Sequence, residues 1–162
     1  MDIFDEELLR FWKLANHFHL QYIMIGGVAT NLHGYQRTTE DIDIWIEDSE
    51  ANREKLRKVF CEYGMGDIKS LSTFQFVAGW TYFHLDNGVR LDVMTDVKGL
   101  EHYPFEYYLQ AASIASIYDI DVHFLHINHL ISSKEAANRP KDKIDVVELY
   151  KIKSILEDDQ KI

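Results

Sequence analysis

Asp41 and Asp43 alternate with Ile42, Ile44 and Ile46 in the stretch DIDIWI. The alternation predicts a strand with one apolar face, so both carboxylates project from the other, about 7 Å apart along the chain. Two carboxylates so placed repel, and burial raises their pKa values unless a cation lies between them. Magnesium suits that place, because it takes hard oxygen ligands and keeps waters for a substrate's phosphates. Two-ion phosphoryl-transfer sites use aspartates in this way, with ions about 3.5–4 Å apart. A third carboxylate is expected from a neighbouring strand. In VRLDVM, Asp92 sits between Leu91 and Val93, and a charge inside so apolar a strand needs a partner. With Asn87 and Gly88 as a two-residue turn, the hairpin WTYFHLDNGVRLDVMTDV would set Asp92 opposite Phe83.

The elements that must position these acids can be read from the pattern around them. Phe4, Leu8, Phe11, Trp12, Ala15 and Phe18 have the spacing of an amphipathic helix over 4–18. YIMI (22–25) reads as a short buried strand stopping at Gly26 and Gly27, and VATNLHG as a brief helix ending at Gly34. After DIDIWI, Ser49 can cap a helix whose inner face is Leu56, Val59, Phe60 and Tyr63, ended by Gly64 and Gly66. FEYYLQAA reads as helical, SIASI and DVHFLHI as strands, and the chain closes in two helices broken near Pro140. The expected fold class is α+β, a small α/β sandwich with a mixed sheet flanked by helices. One domain is expected over 1–162, with a core about 20–96 and a C-terminal helical part about 127–158.

GGVATNLHGYQRTTEDIDIWI followed by VRLDVM resembles the nucleotidyltransferase superfamily related to polymerase beta. Its pattern is a glycine pair, a helical stretch, Asp-x-Asp on a strand and a third acid on a later strand. The resemblance covers roughly residues 20 to 96, and residues 28 to 40 separate Gly27 from Asp41. The tail LISSKEAANRPKDKIDVVEL resembles the C-terminal helices of small bacterial members, including lincosamide-type antibiotic nucleotidyltransferases and abortive-infection toxins. The resemblance implies that Asp41 and Asp43 hold two magnesium ions with a bound nucleoside triphosphate. Asp92 would ligate the catalytic one and help activate a hydroxyl. Gly26 and Gly27 would let the backbone approach the triphosphate. Many members carry serine after the first glycine, where Gly27 stands here.

Other candidates admit two readings. Arg37 and Thr39 are a phosphate contact and a loop brace, or a surface arginine and a capping hydroxyl. Lys134 and then Arg139, in a basic cluster with Lys141 and Lys143, are phosphate contacts by resemblance, or a solvated helix face. Asp142 and Asp145 read as acids of the last helix's first turn. His123, His126 and His129 fall across a strand–helix junction, so zinc is disfavoured. His84 reads as a half-buried strand histidine. The aromatics of EHYPFEYY with Trp80 and Tyr82 form either core or a wall for a stacked base.

The charge of −10, with 17 Lys and Arg against 27 Asp and Glu, disfavours long nucleic acid as partner. The single cysteine, Cys61, and an acidic amphipathic start point to the cytoplasm. The expected activity is transfer of a nucleoside monophosphate from a triphosphate to a small-molecule or protein hydroxyl. The alternative is an inactive binding module of the same fold, such as half of a toxin–antitoxin pair. A homodimer or small protein partner is compatible with either.

Overall fold

A computed structural model describes residues 5–159. The first helix, α1 (Glu6–His17), starts at Asp5, whose Oδ1 accepts from the amides of Glu7 and Leu8. Phe4, expected on its inner face, lies outside the described residues, while Leu8, Phe11, Trp12 and Ala15 are buried as expected. Strand β1 (Tyr22–Ile25) runs straight into α2 (Gly26–Leu32), so the helix begins at the glycine pair rather than after it. Gly26 makes the junction possible with φ +67, a conformation costly for any other residue.

Strand β2 (Asp41–Ile46) precedes α3 (Glu50–Phe60), capped by the Ser49 hydroxyl on the Asn52 amide. Next come β3 (Tyr82–His84), β4 (Arg90–Met94), α4 (Phe105–Gln110), β5 (Ser113–Ile117), β6 (Ile120–Phe124), α5 (Ile127–Ala137) and α6 (Pro140–Asp159). The strands form one mixed sheet in the order β3-β4-β2-β1-β6-β5. The fold is α+β, as the element pattern implied.

The isoleucines of β2 explain its two faces. Ile42, Ile44 and Ile46 are fully buried and share a face with Leu91 and Val93 of β4. On that face Trp12 of α1 stacks on Tyr22 and Phe60 of α3 meets Phe83. The opposite face is covered at one end, where Trp45 packs edge-on against Phe105 of α4 and its Nε1 donates to Thr95 O. Asp41 and Asp43 occupy the part of that face nearer the start of β2.

The hairpin between β3 and β4 is one residue longer than the expected turn. Leu85 and Val89 close a loop of Asp86, Asn87 and Gly88, with Gly88 at φ +79. This is a three-residue loop in which glycine takes the left-handed position. The change moves Asp92 from opposite Phe83 to opposite Tyr82, and pairs Phe83 with Leu91. Apolar faces apolar and polar faces polar in the observed register, which the shorter turn would have broken.

Candidate active site

Parallel pairing of β2 with β4 assembles the acids. Asp43 lies directly beside Asp92 and Asp41 beside Arg90, all on one face of the sheet. One carboxylate oxygen from each of Asp41, Asp43 and Asp92 lies within 4.8 Å of the others. The Asp43 carboxyl is pushed up to about 6, first by burial and then by the charges of Asp41 and Asp92, with Lys141 and Arg139 opposing. Asp92 is 2 % exposed, and its Oδ2 is buried with no hydrogen-bond partner. A buried oxygen without a donor, on a carboxylate clustered with two others, is a costly arrangement unless a cation completes it. Three hard oxygen donors converging in this way fit a hard divalent cation.

The glycine pair owes its identity to this protein's own side chains as much as to any ligand. A Cβ on Gly26 would run into the Asp43 carboxylate. A Cβ on Gly27 would lie 2.5 Å from Thr39 Oγ1 and 2.9 Å from Arg37 Nη2. Gly26 therefore makes room for a metal-ligand candidate, and Gly27 for an arginine. This steric role stands beside the backbone approach that the sequence suggested for the pair. The place a serine side chain would take at position 27 is already filled by a hydroxyl and a guanidinium.

Local hydrogen bonds hold that loop. The Asn31 side chain bonds both backbone groups of Arg37, at 3.1 Å and 2.9 Å. Thr39 Oγ1 donates to Asp41 Oδ1 at 3.0 Å, so it braces a cluster acid rather than capping a helix. Arg37 Nε pairs with Asp145 Oδ1 at 3.1 Å.

Lys134 is 4 % exposed and pairs with Asp145 Oδ2 at 2.7 Å, with Asp142 at 3.8 Å. A solvated helix face is excluded for it; burial holds its ammonium below the usual lysine range while the Asp145 bond opposes. Asp145 is 1 % exposed, lies beyond the first turn of α6 and is buried in this cluster, which corrects its reading as an acid of that turn. Asp142 keeps part of that role: its Oδ2 accepts from the Arg139 amide, and its carboxylate from the Arg139 guanidinium at 2.6 Å and 3.1 Å. The ion pairs join the α2–β2 loop, α5 and α6 beside the acids.

A cleft of about 390 Å³ gathers these parts. Its lining includes Gly26, Gly27, Arg37, the three aspartates, Lys134 and Arg139; Thr39 stands behind, bonded to Asp41. Lys141 of the basic cluster joins them, as do three residues that the sequence did not single out: Arg90, Asp96 and Lys98. Arg90 was findable, since a residue two before Asp92 on a strand shares its face. Six cations against four carboxylates line this cleft in a chain of charge −10, so its local balance is the reverse of the whole. The aromatics do not form one wall. Tyr103 and Tyr107 stack at 4.2 Å by α4, whereas Tyr82 sits on β3 under Arg90 and Trp80 is exposed on the turn before it. His126 and His129 lie 5.8 Å apart beside the tyrosines of α4, and His123 packs against Tyr22.

The family described as nucleotidyltransferase of unknown function (DUF6036) matches residues 4–156. No curated protein matches the sequence. Among solved structures, the lincosamide antibiotic adenylyltransferase LnuA, lincomycin-bound, superposes with a TM-score of 0.58 at 17% identity, over 91% of this chain and 97% of its own. A nucleotidyltransferase-type protein from Thermotoga maritima superposes at 0.54 and 14% identity, covering 96% and 91%. An antigenic nucleotidyltransferase-like protein from Paracoccidioides brasiliensis gives 0.51 and 15%, covering 85% and 71%. At these identities the likeness is one of fold.

Proposed function

The chain belongs to the DUF6036 nucleotidyltransferases, and we propose that it transfers a nucleoside monophosphate from a nucleoside triphosphate to a hydroxyl, releasing pyrophosphate. The observation that carries this reading is the two-sided cleft. Asp41, Asp43 and Asp92 converge on the sheet side, and Arg37, Lys134, Arg139 and Lys141 line the helical side. A triphosphate is long enough to engage both sides, with its reacting phosphate at the acids and its outer phosphates at the cations.

Asp41, Asp43 and Asp92 would hold magnesium, two ions when the triphosphate is present. Bound there, magnesium would lower the pKa of the acceptor hydroxyl and neutralise charge on the phosphates. The remaining chemistry belongs to the chain. Thr39 fixes the Asp41 carboxylate through its hydroxyl. Arg37 and Lys134, held at Asp145, offer donors to the outer phosphates and to the leaving pyrophosphate. Asp92 Oδ2, free of hydrogen bonds, can take the proton of the attacking hydroxyl as its oxygen bonds to the α-phosphorus. The acceptor is a hydroxyl on a small molecule or a protein, and the setting is the cytoplasm, supported by the single unpaired cysteine. Among the described residues no helix is long and apolar enough to cross a membrane.

Incubation with α-32P-labelled and γ-32P-labelled nucleoside triphosphates in a cell extract, with magnesium, tests the reaction. Label from the α position should appear on an acceptor and label from the γ position should not, with Asp43→Asn abolishing transfer. Transfer of the γ label, or equal α transfer by Asp43→Asn, would refute it.

A further inference from the structure

Arg90 is the cation closest to the acids and has no part in the phosphate contacts just described. Its Nη2 lies 2.7 Å from Asp92 Oδ1, and strand pairing sets it beside Asp41. The guanidinium lies 4.1 Å above the Tyr82 ring and also donates to Gly79 O at 3.3 Å. One oxygen of Asp92 is thus occupied by a cation from its own strand, while the other is buried and bare. The Arg90 Nε is buried without a hydrogen-bond partner too, so the pair is imperfectly satisfied as it stands.

From this we propose that Arg90 is the resident counter-ion of the acidic cluster, competing with a divalent ion for Asp92 until a nucleotide arrives. The inference rests on the cation site assigned to Asp41, Asp43 and Asp92. Three carboxylates, each with an oxygen within 4.8 Å of the others, repel one another unless a cation stands among them. A guanidinium remains charged at any working pH and satisfies one of them without leaving the protein. The same charge repels a bare divalent ion. A triphosphate brings its own negative oxygens and restores the advantage of the divalent ion. Tyr82 keeps the guanidinium at the sheet edge after it leaves Asp92, since the ring face attracts the cation with or without the carboxylate. Metal and nucleotide would then load together rather than in sequence.

The test is Mn2+ binding without nucleotide, followed by the loss of the free-ion electron paramagnetic resonance signal. Arg90→Ala should bind Mn2+ about tenfold tighter than wild type, and Arg90→Lys, which keeps the charge, should stay within about threefold of it. Adding a non-hydrolysable nucleoside triphosphate should shrink the gap between wild type and Arg90→Ala. Circular dichroism spectra establish that each variant is folded; if Arg90→Ala is not, Arg90→Gln carries the same expectation. Equal or weaker binding by a folded neutral variant would overturn the counter-ion role while leaving the cation site standing. No Mn2+ binding by any variant, with or without nucleotide, would overturn both.

Discussion

Replacing Asp43 by asparagine should stabilise the metal-free protein, increasingly so as pH rises from about 4 to about 6. The carboxyl of Asp43 is raised from 3.8 to about 6, by burial before the charges of Asp41 and Asp92. A group whose pKa is raised by folding holds its proton more tightly in the folded state. Its contribution to stability is therefore fully present below about pH 4 and is lost as pH rises through about 6. The gap corresponds to about 3 kcal/mol between low and high pH. For a chain of this size that converts to roughly 6–12 °C in Tm as an upper bound. Asparagine mimics the protonated carboxyl and carries no such penalty. Calorimetry in EDTA would compare the two proteins at pH 4.5 and pH 8. The quantity to follow is the difference in Tm between variant and wild type, because Asp142 and other carboxyls with lowered pKa values shift both proteins alike. That difference should be several degrees in the variant's favour at pH 8 and about a third as large at pH 4.5. A difference independent of pH, or a less stable variant at pH 8, would refute the reasoning that the three acids repel in a buried setting.

Other perturbations separate the parts of the site. Gly27→Ser should leave the fold intact, because the backbone there is not left-handed, yet weaken triphosphate binding about tenfold by displacing Thr39 and Arg37; calorimetric titration reads this. Gly26→Ala should cost roughly 1–3 kcal/mol in urea denaturation, from its positive φ and from the clash with Asp43. Lys134→Ala should cost ~3–5 kcal/mol, because Asp145 and Asp142 stay buried with one cation fewer. Lys151→Ala, at an exposed pair with Glu148, should cost less than about 1 kcal/mol in the same assay.

Much of the site's frame could be read from local pattern. The alternation of DIDIWI gave the two faces of β2 because a strand's side-chain period is two, and the buried isoleucines follow from it. That Asp92 would join the pair depended on strand order, and the likeness of the stretch to a known superfamily supplied what periodicity could not. The hairpin register escaped because Asn-Gly fits a two-residue turn and, with Asp86 before it, a three-residue one equally well. The polar strip on β4, with Arg90 and Asp92 facing Tyr82 and His84, decides between them, and it becomes visible only with the sheet assembled. Asp145 was misread for a related reason. Its place one turn further into α6 depends on where the helix starts, and only the packing of α6 against α5 and the α2–β2 loop brings Lys134 and Arg37 to it. The second role of the glycine pair was likewise hidden, since it concerns space beside residues 10 to 17 positions away in sequence.

The central claim is that the acids and the cations of the cleft together bind a magnesium triphosphate. Calorimetric titration of ATP, GTP, CTP and UTP, with and without magnesium, tests it on wild type and on Asp41→Asn/Asp43→Asn. Magnesium-dependent binding of at least one nucleotide by the wild type, lost in the double variant, is the expected result. Binding indifferent to magnesium, or retained by the double variant, or absent for all four nucleotides, would contradict the claim.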